Sequence, residues 1–239
     1  MMSRLLLFLA VAVAAYAQNA RTARATAPVD LTGYWVSQIV DEWRFRVTPQ
    51  KGDIAYLPIN AEARKMALAW DPDKDKADGL QCKAYGAVGV MQRPGRLHVF
   101  WKDENTLQID TDAGSQTRLL HFDQTSEAGS EASWQGYSVA QWAVRNAGGR
   151  GPAPREGTLK IVTARMKPGY IRKNGVPYSA NTTLTEYVNL LTGVQKDVYL
   201  SVTAMVEDPV YLTQPFVRTY TFKKVADASG WDPTPCWNK

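Results

Sequence analysis

The sequence predicts an all-β body: a single antiparallel barrel, or a sandwich of the same strands, with about eight to ten strands and one short helix. Three observations carry this. Residues 182–225 alternate with a period of two: Val198, Leu200, Val202, Ala204 and Val206 fall on one side of an extended chain, and Tyr199, Ser201, Thr203 and Met205 on the other. Turn residues cut this stretch into three consecutive strands: Thr-Gly-Val-Gln-Lys-Asp at 192–197, then Asp208-Pro209 and Gln214-Pro215. Shorter runs of the same kind recur through the chain, with no internal repeat and no composition shift that marks a domain boundary.

Taken in order, residues 1–17 read as a secretory signal peptide. Arg4 supplies the charged start, residues 5–15 the apolar run, and Ala15-Tyr16-Ala17 a small-x-small cleavage site. The apolar run is shorter than the roughly 20 residues a membrane span needs, and no later stretch is long enough either. Residues 18–29, rich in Ala, Arg and Thr, read as a disordered leader. The barrel domain is expected over residues 30–239. Its first strand covers residues 34–40, and the alternation of Trp43, Phe45 and Val47 with Arg44 and Arg46 predicts a second extended piece. Asn60 caps a helix over residues 61–70, with Glu62 complementing its dipole. Asp71-Pro72 ends it, and residues 73–78 read as a charged loop. Residues 82–91, with Gly86 and Gly89, fit neither helix nor strand cleanly. Strands follow at 96–101, 106–111, 116–122, 134–144 and 158–166, and Asn174-Gly175 marks a tight turn.

Composition narrows the class. A formal charge of +5 is spread over scattered Lys and Arg, with no basic stripe interleaved with aromatics, so nucleic acid is not an expected partner. Two cysteines, Cys82 and Cys236, in an exported chain point to one disulfide that ties the C-terminal tail to the first third of the sequence. No Cys or His spacing suggests a metal site, and no cofactor motif is present.

Gly33-Tyr34-Trp35 resembles the Gly-x-Trp signature that opens the first strand of lipocalins and their calycin relatives. In that superfamily an Arg from the last strand packs over the Trp. The resemblance assigns that part to Arg218, which shares a face with Phe216, Tyr220 and Phe222. More widely, DLTGYW, the run at 134–142, Gly157-Thr158-Leu159, Leu184-Thr185-Glu186-Tyr187 and Val206-Glu207-Asp208-Pro209 resemble a group of secreted bacterial proteins of unknown function. That resemblance implies a periplasmic or extracellular location and a lipocalin-like body, but no activity.

Several residues bear chemistry. Gly136-Tyr137-Ser138-Val139-Ala140 matches a nucleophile elbow in letters only, because both histidines, His98 and His121, precede the Ser and the strand-turn-helix context is missing. The two His sit on separate strands and read as hydrogen-bonded strand residues rather than ligands. Glu186, Glu207 and Asp208 could meet at one barrel mouth as an acid–base pair, with His121 as helper. The plainer expectation is an outward-facing Glu186 and a turn-forming Asp208. Eight Trp and eleven Tyr can line a cavity or fill a core. The expectation is therefore an exported barrel that binds a small apolar or aromatic ligand. Its lining would be Trp43, Tyr137, Glu186, Tyr187 and Tyr211, with Arg44 or Arg218 as a positive contact. A cofactor-independent enzyme in the same barrel, using Glu186 with Glu207 or Asp208, is the alternative. A further one is an accessory subunit with a solid barrel.

Overall fold

The computed structural model describes residues 22–39, 49–123, 131–144 and 157–236. The stretch expected to be a signal peptide, and Trp43 and Arg44, lie outside the described residues. Strands β1 (Gly33–Gln38), β2 (Arg96–Trp101), β3 (Thr106–Thr111), β4 (Gln116–His121), β5 (Tyr137–Val144), β6 (Gly157–Ala164), β7 (Gly169–Arg172), β8 (Val176–Tyr178), β9 (Thr183–Thr192), β10 (Val198–Glu207) and β11 (Phe216–Val225) follow in sequence. Nine of them close a lipocalin-like barrel in the order β1-β11-β10-β9-β6-β5-β4-β3-β2, and β7 and β8 form a separate hairpin. The alternation over the last three strands places their apolar residues in the barrel: Leu200, Val202, Ala204 and Val206 are buried, opposite Phe222, Tyr220, Arg218 and Phe216 of β11.

One pairing departs from the expected antiparallel pattern. β4 runs parallel to β5, with Leu120 opposite Ser138. Antiparallel neighbours can be joined by a tight hairpin, whereas a parallel pair needs a longer crossover.

The strand directions define two ends. β1 finishes and β2 starts at one end, and so do β6 and β9, because each pair is antiparallel and adjacent. The described part of the first long connection, residues 49–95, and the second, residues 165–182, therefore both cap that end. Helix α1 (Ala23–Thr26) lies in the stretch expected to be a disordered leader. It is one turn capped by Thr22 and docked through Ala23 N–H on the Asn105 side-chain oxygen at 2.9 Å. Helix α2 (Ala61–Ala69) starts where Asn60 accepts from the Ala63 N–H, as the sequence suggested, and it buries Ala63 and Ala67, one turn apart.

Residues 73–78 are a correction. Asp71 accepts from the N–H groups of Asp73 and Lys74, and Pro72 occupies the first turn, so helix α3 spans Pro72–Ala77. Proline stops the preceding helix but is pre-shaped for the first position of the next. A 3₁₀ turn (Gln81–Tyr85) and helix α4 (Ala87–Val90) follow.

Residues 82–91 fitted neither element from sequence; the overlapping run 84–93 is buried at every residue. It is a helical plug. Two glycines let it pack: a Cβ at Gly89 would lie 2.5 Å from the Ala84 carbonyl oxygen, and one at Gly86 2.7 Å from that of Trp134. Met91, at its end, reaches the same interior cavity as Leu31, Val99, Leu107 and Val202. The expected disulfide is present: Cys82 and Cys236 are bonded with their Cα atoms 5.2 Å apart. It fastens the start of the plug to the C-terminal tail, where Ser115 Oγ donates to the Thr234 carbonyl and Thr234 N–H donates to that of Asp112.

The Cys82–Cys236 bridge closes a loop of 154 residues. Replacing both cysteines by Ala is expected to lower unfolding stability by about 2–5 kcal/mol in a urea titration, the range loop closure of this length predicts. An unchanged midpoint would show that the tail is held by its hydrogen bonds alone.

Candidate functional site

The barrel interior is mainly aliphatic, and one polar network crosses it. Arg118 on β4 and Glu186 on β9 form a bidentate pair, Nη1 to Oε1 at 3.1 Å and Nη2 to Oε2 at 2.7 Å. Their side chains are 0% and 1% exposed. Nη2 also donates to Thr163 Oγ1 at 3.2 Å, and Thr163 shares a 2.7 Å hydrogen bond with Ser138 Oγ. Strands β5 and β6 lie between β4 and β9 in the barrel order, so the network spans four neighbouring strands. Bidentate Arg–carboxylate geometry is the strong form of this contact, and it leaves Glu186 without a free carboxylate oxygen to act as a base.

Beside Glu186 is a cavity of about 10 Å³, lined otherwise by aliphatic side chains that include Leu31, Met91, Leu107 and Ile161. That is room for about one water molecule. The centre of the barrel is thus filled by its own side chains and by the plug.

The sequence-proposed site residues do not converge. Glu186 is in the core rather than outward. Glu207 is exposed at the end of β10. Asp208 is 4% exposed and consumed by a turn. It accepts from Ser179 N–H, from Thr182 Oγ1 at 2.6 Å, and from the N–H groups of Val210 and Tyr211 at 2.7 and 3.0 Å. Burial pushes the Asp208 carboxyl upward, but these donors outweigh it and hold it below the usual aspartate range. Glu207 and Asp208 do border a shallow, open depression of about 250 Å³ with Leu212 and Pro215. Glu186 does not line it, so no acid–base pair forms.

His121 lies on the outside of β4, its ring stacked on that of Tyr137 at 4.8 Å. His98 stacks between Tyr34 and Phe100 on β1 and β2, at 4.2 and 4.6 Å, with Trp231 edge-on. Among the described residues no three His, Cys, Asp or Glu side chains come together. Ser138 is buried within the first residues of β5, and the strand runs on past it to Val144, so the elbow-like letters around it form no strand-turn-helix elbow. Tyr187 is 37% exposed on the outer face of β9, and Tyr211 is half-buried in the β10–β11 connection.

Trp35 carries the Gly-x-Trp expectation, with a change of partner. It is fully buried, and its indole N–H donates to the Leu31 carbonyl at 3.1 Å. The cation over its ring is Lys224, Nζ at 5.3 Å from the centroid, not Arg218, which lies 4.7 Å from the Phe216 ring. Position decides this: Trp35 sits opposite Lys224 in the β1–β11 register, whereas Arg218 lies beyond the last β1 partner, Thr221. Gly33 adopts φ +117°, and a Cβ there would press on Lys224 Cε at 3.1 Å. The glycine thus keeps the space that the lysine stem uses.

One aromatic group remains available. At the end opposite the cap, Trp101, Phe122 and Trp142 project inward, half-buried, with ring centroids 5.4 Å apart for Trp101–Phe122 and 6.0 Å for Phe122–Trp142. The Trp142 indole nitrogen is buried and, among the described residues, has no hydrogen-bond partner. Sequence reasoning counted Trp101 and Trp142 only among the eight Trp that can line a cavity or fill a core, and saw Phe122 only as the end of a strand. Period-two counting from Leu120 would have put it on the inner face.

Comparison of the chain with protein families, with curated proteins and with solved structures finds no match.

Two outcomes test the polar core. Glu186→Ala should cost about 3–5 kcal/mol by leaving Arg118 buried and unpaired, whereas Arg118→Met combined with Glu186→Leu should be neutral or stabilising, as is common when a buried pair is replaced by packed apolar groups. A double variant as unstable as the single one would refute that account. At Asp208 the folded-state pKa lies below the unfolded value of about 3.9. Its contribution is therefore complete above that pH and fades as pH falls through the folded pKa. Asp208→Asn should cost about 2 kcal/mol at neutral pH, where a charge-assisted network is intact, with the gap to wild type closing under acid. A pH-independent gap would mean that the turn geometry, not the charge, matters.

Proposed function

We propose that the protein is an exported binding barrel for a small ligand with an aromatic or apolar body and a hydrogen-bond acceptor. Its site is the ring-lined end formed by Trp101, Phe122 and Trp142. The observation that carries this reading is the Trp142 indole: a buried N–H without an acceptor among the described residues, beside half-exposed rings that face inward. Buried donors are almost always paired, and an apolar wall with one or two placed polar groups is what small-molecule sites are made of. Export is supported by the disulfide, since such bonds persist in oxidising compartments, and by the signal-like start of the sequence. The filled barrel centre moves the site away from the axis and from Glu186. The enzyme alternative loses support because Glu186 is locked in its ion pair and the other carboxylates lie elsewhere. The accessory-subunit reading is favoured by one observation, the solid centre, and it predicts a co-purifying protein.

Native mass spectrometry on protein purified from its own host separates these readings. A retained small molecule, displaced by a neutral naphthylamine fluorophore, supports the binding barrel. Trp142→Ala should then weaken fluorophore binding by about tenfold, the loss expected for one good aromatic contact, while Tyr187→Ala leaves it unchanged. Equal affinity of wild type and Trp142→Ala, or a stoichiometric protein partner and no small molecule, would overturn the proposal.

A further inference from the structure

The ring-lined end has a cover of its own, because the chain ahead of β1 crosses the rim there. Helix α1 sits on the β2–β3 turn, where Ala23 N–H donates to the Asn105 side-chain oxygen at 2.9 Å and Arg24 N–H to the Glu104 carbonyl at 3.1 Å. Pro28 sits against the first residue of β6: a Cβ on Gly157 would lie 2.3 Å from Pro28 Cγ. Only three residues separate Arg24 from Pro28, so the chain takes the short way round the rim. In the barrel order β6-β5-β4-β3-β2 that way passes over the ends of β4 and β5. Phe122 directly follows β4, Trp142 lies near the end of β5, and Trp101 closes β2 beside the first anchor. The segment therefore spans the rings from one side to the other.

The wall is lowest under this segment. β4 and β5 share two residue pairs, Leu120–Ser138 and His121–Val139, whereas β5 runs on to Val144. Among the described residues no strand lies opposite residues 140–144 on that side. The two halves of the segment are held differently. The inner half is built into the fold: Leu31 is 4% exposed and lines the small central cavity, and Val29 packs against the core. In the outer half, no residue of α1 is buried. Its side-chain contacts converge on Glu104, which accepts from Thr22 Oγ1 at 2.8 Å and pairs with Arg24 Nη1 at 3.5 Å, both charged groups being more than half exposed. Exposed ion pairs are weak and screened by salt, and a single helical turn has little stability of its own. Segments with so few buried contacts open at low cost. The outer half can leave while Val29 and Leu31 stay.

We propose that residues 22–28 are a strap that opens and closes over the Trp101–Phe122–Trp142 end, hinged at Val29 and latched by Glu104, and that it sets how fast a ligand enters and leaves. This rests on the reading of that end as a ligand site. Closed, the strap shelters the rings from water; open, it bares them beside the low part of the rim. Loosening such a cover lowers the barrier to entry and to exit together, so both rates rise while affinity changes little.

The test is stopped-flow binding of the neutral naphthylamine fluorophore to the folded protein. Glu104→Arg, which repels Arg24, should raise association and dissociation rates together by about two- to fivefold, the span of one exposed ion pair with its hydrogen bond, and shift Kd by less than about twofold. Adding Arg24→Glu to that variant should return both rates toward wild type, a rescue that simple loss of packing would not give. Added sodium chloride should quicken exchange in wild type but not in Glu104→Ala, since the fluorophore carries no charge. Binding with equal rates in wild type and Glu104→Arg overturns the strap and leaves the binding barrel standing. If wild type binds no fluorophore, the ligand reading falls, and acrylamide quenching of Trp142, isolated by difference from Trp142→Phe, judges the strap. Stronger quenching in Glu104→Arg than in wild type supports a cover that opens; equal quenching overturns it.

Discussion

The ion pair between Arg118 and Glu186 constrains the rest of the barrel. In a dry interior neither charge is tolerable without the other, so the two strands that carry them must face each other in one register. A slip of one residue on β9 would turn Glu186 to the outside and put Tyr187 into the core. It would also leave Arg118 buried with no counter-charge. Thr163 and Ser138 extend the requirement to β6 and β5, because their hydroxyls complete the network. The aliphatic residues around the pair supply most of the driving force for folding, but they would accept several packings. The charge pair selects among them.

A nine-stranded barrel has an interior to fill, and this chain fills it from within. The plug over residues 84–93 and Leu31 from the N-terminal approach enter from opposite ends and meet at the same small cavity. This arrangement links architecture to function. A barrel whose centre is occupied by its own chain offers its ends, and the two ends here differ in chemistry. One presents indole and phenyl rings and, among the described residues, an unmatched indole N–H. The other holds the buried side chains of Arg93 and Lys173 under a cap of short helices and a hairpin. The disulfide holds the plug's first turn to the tail, so the cap is part of the folded unit rather than an appendage.

The strands were legible because their cause is local. Period-two alternation over residues 198–206, the turn at 192–197 and the proline pairs after Glu207 mark boundaries that the structure keeps to within a residue or two. The Asn60 cap was legible for the same reason: a side chain and an N–H three residues on make the contact. The charged segment 73–78 was misread because Pro72 was taken as an end, whereas it is the start of the next helix. The plug escaped because its glycines lower helix propensity; its helical turns are imposed by the walls around it. The carboxylates show the limit most clearly. Nothing around Glu186 in sequence distinguishes a solvent-facing strand carboxylate from one that faces an arginine 68 residues away. Arg118 itself drew no notice, since an Arg on a strand normally faces water.

By itself, then, the sequence determined a mostly β chain with strands close to their observed places, a helix opened by Asn60, and a cysteine pair suited to an oxidising compartment. These follow from alternation, capping and pairing, which depend on neighbours along the chain or on simple counting. Tertiary structure alone decided the parallel β4–β5 closure, the plugging of the barrel, Lys224 rather than Arg218 over Trp35, and the burial of Arg93, Arg118 and Glu186. Those outcomes depend on which residues from distant segments face one another across a closed sheet, and closure sets that by strand register and stagger, which no local pattern encodes.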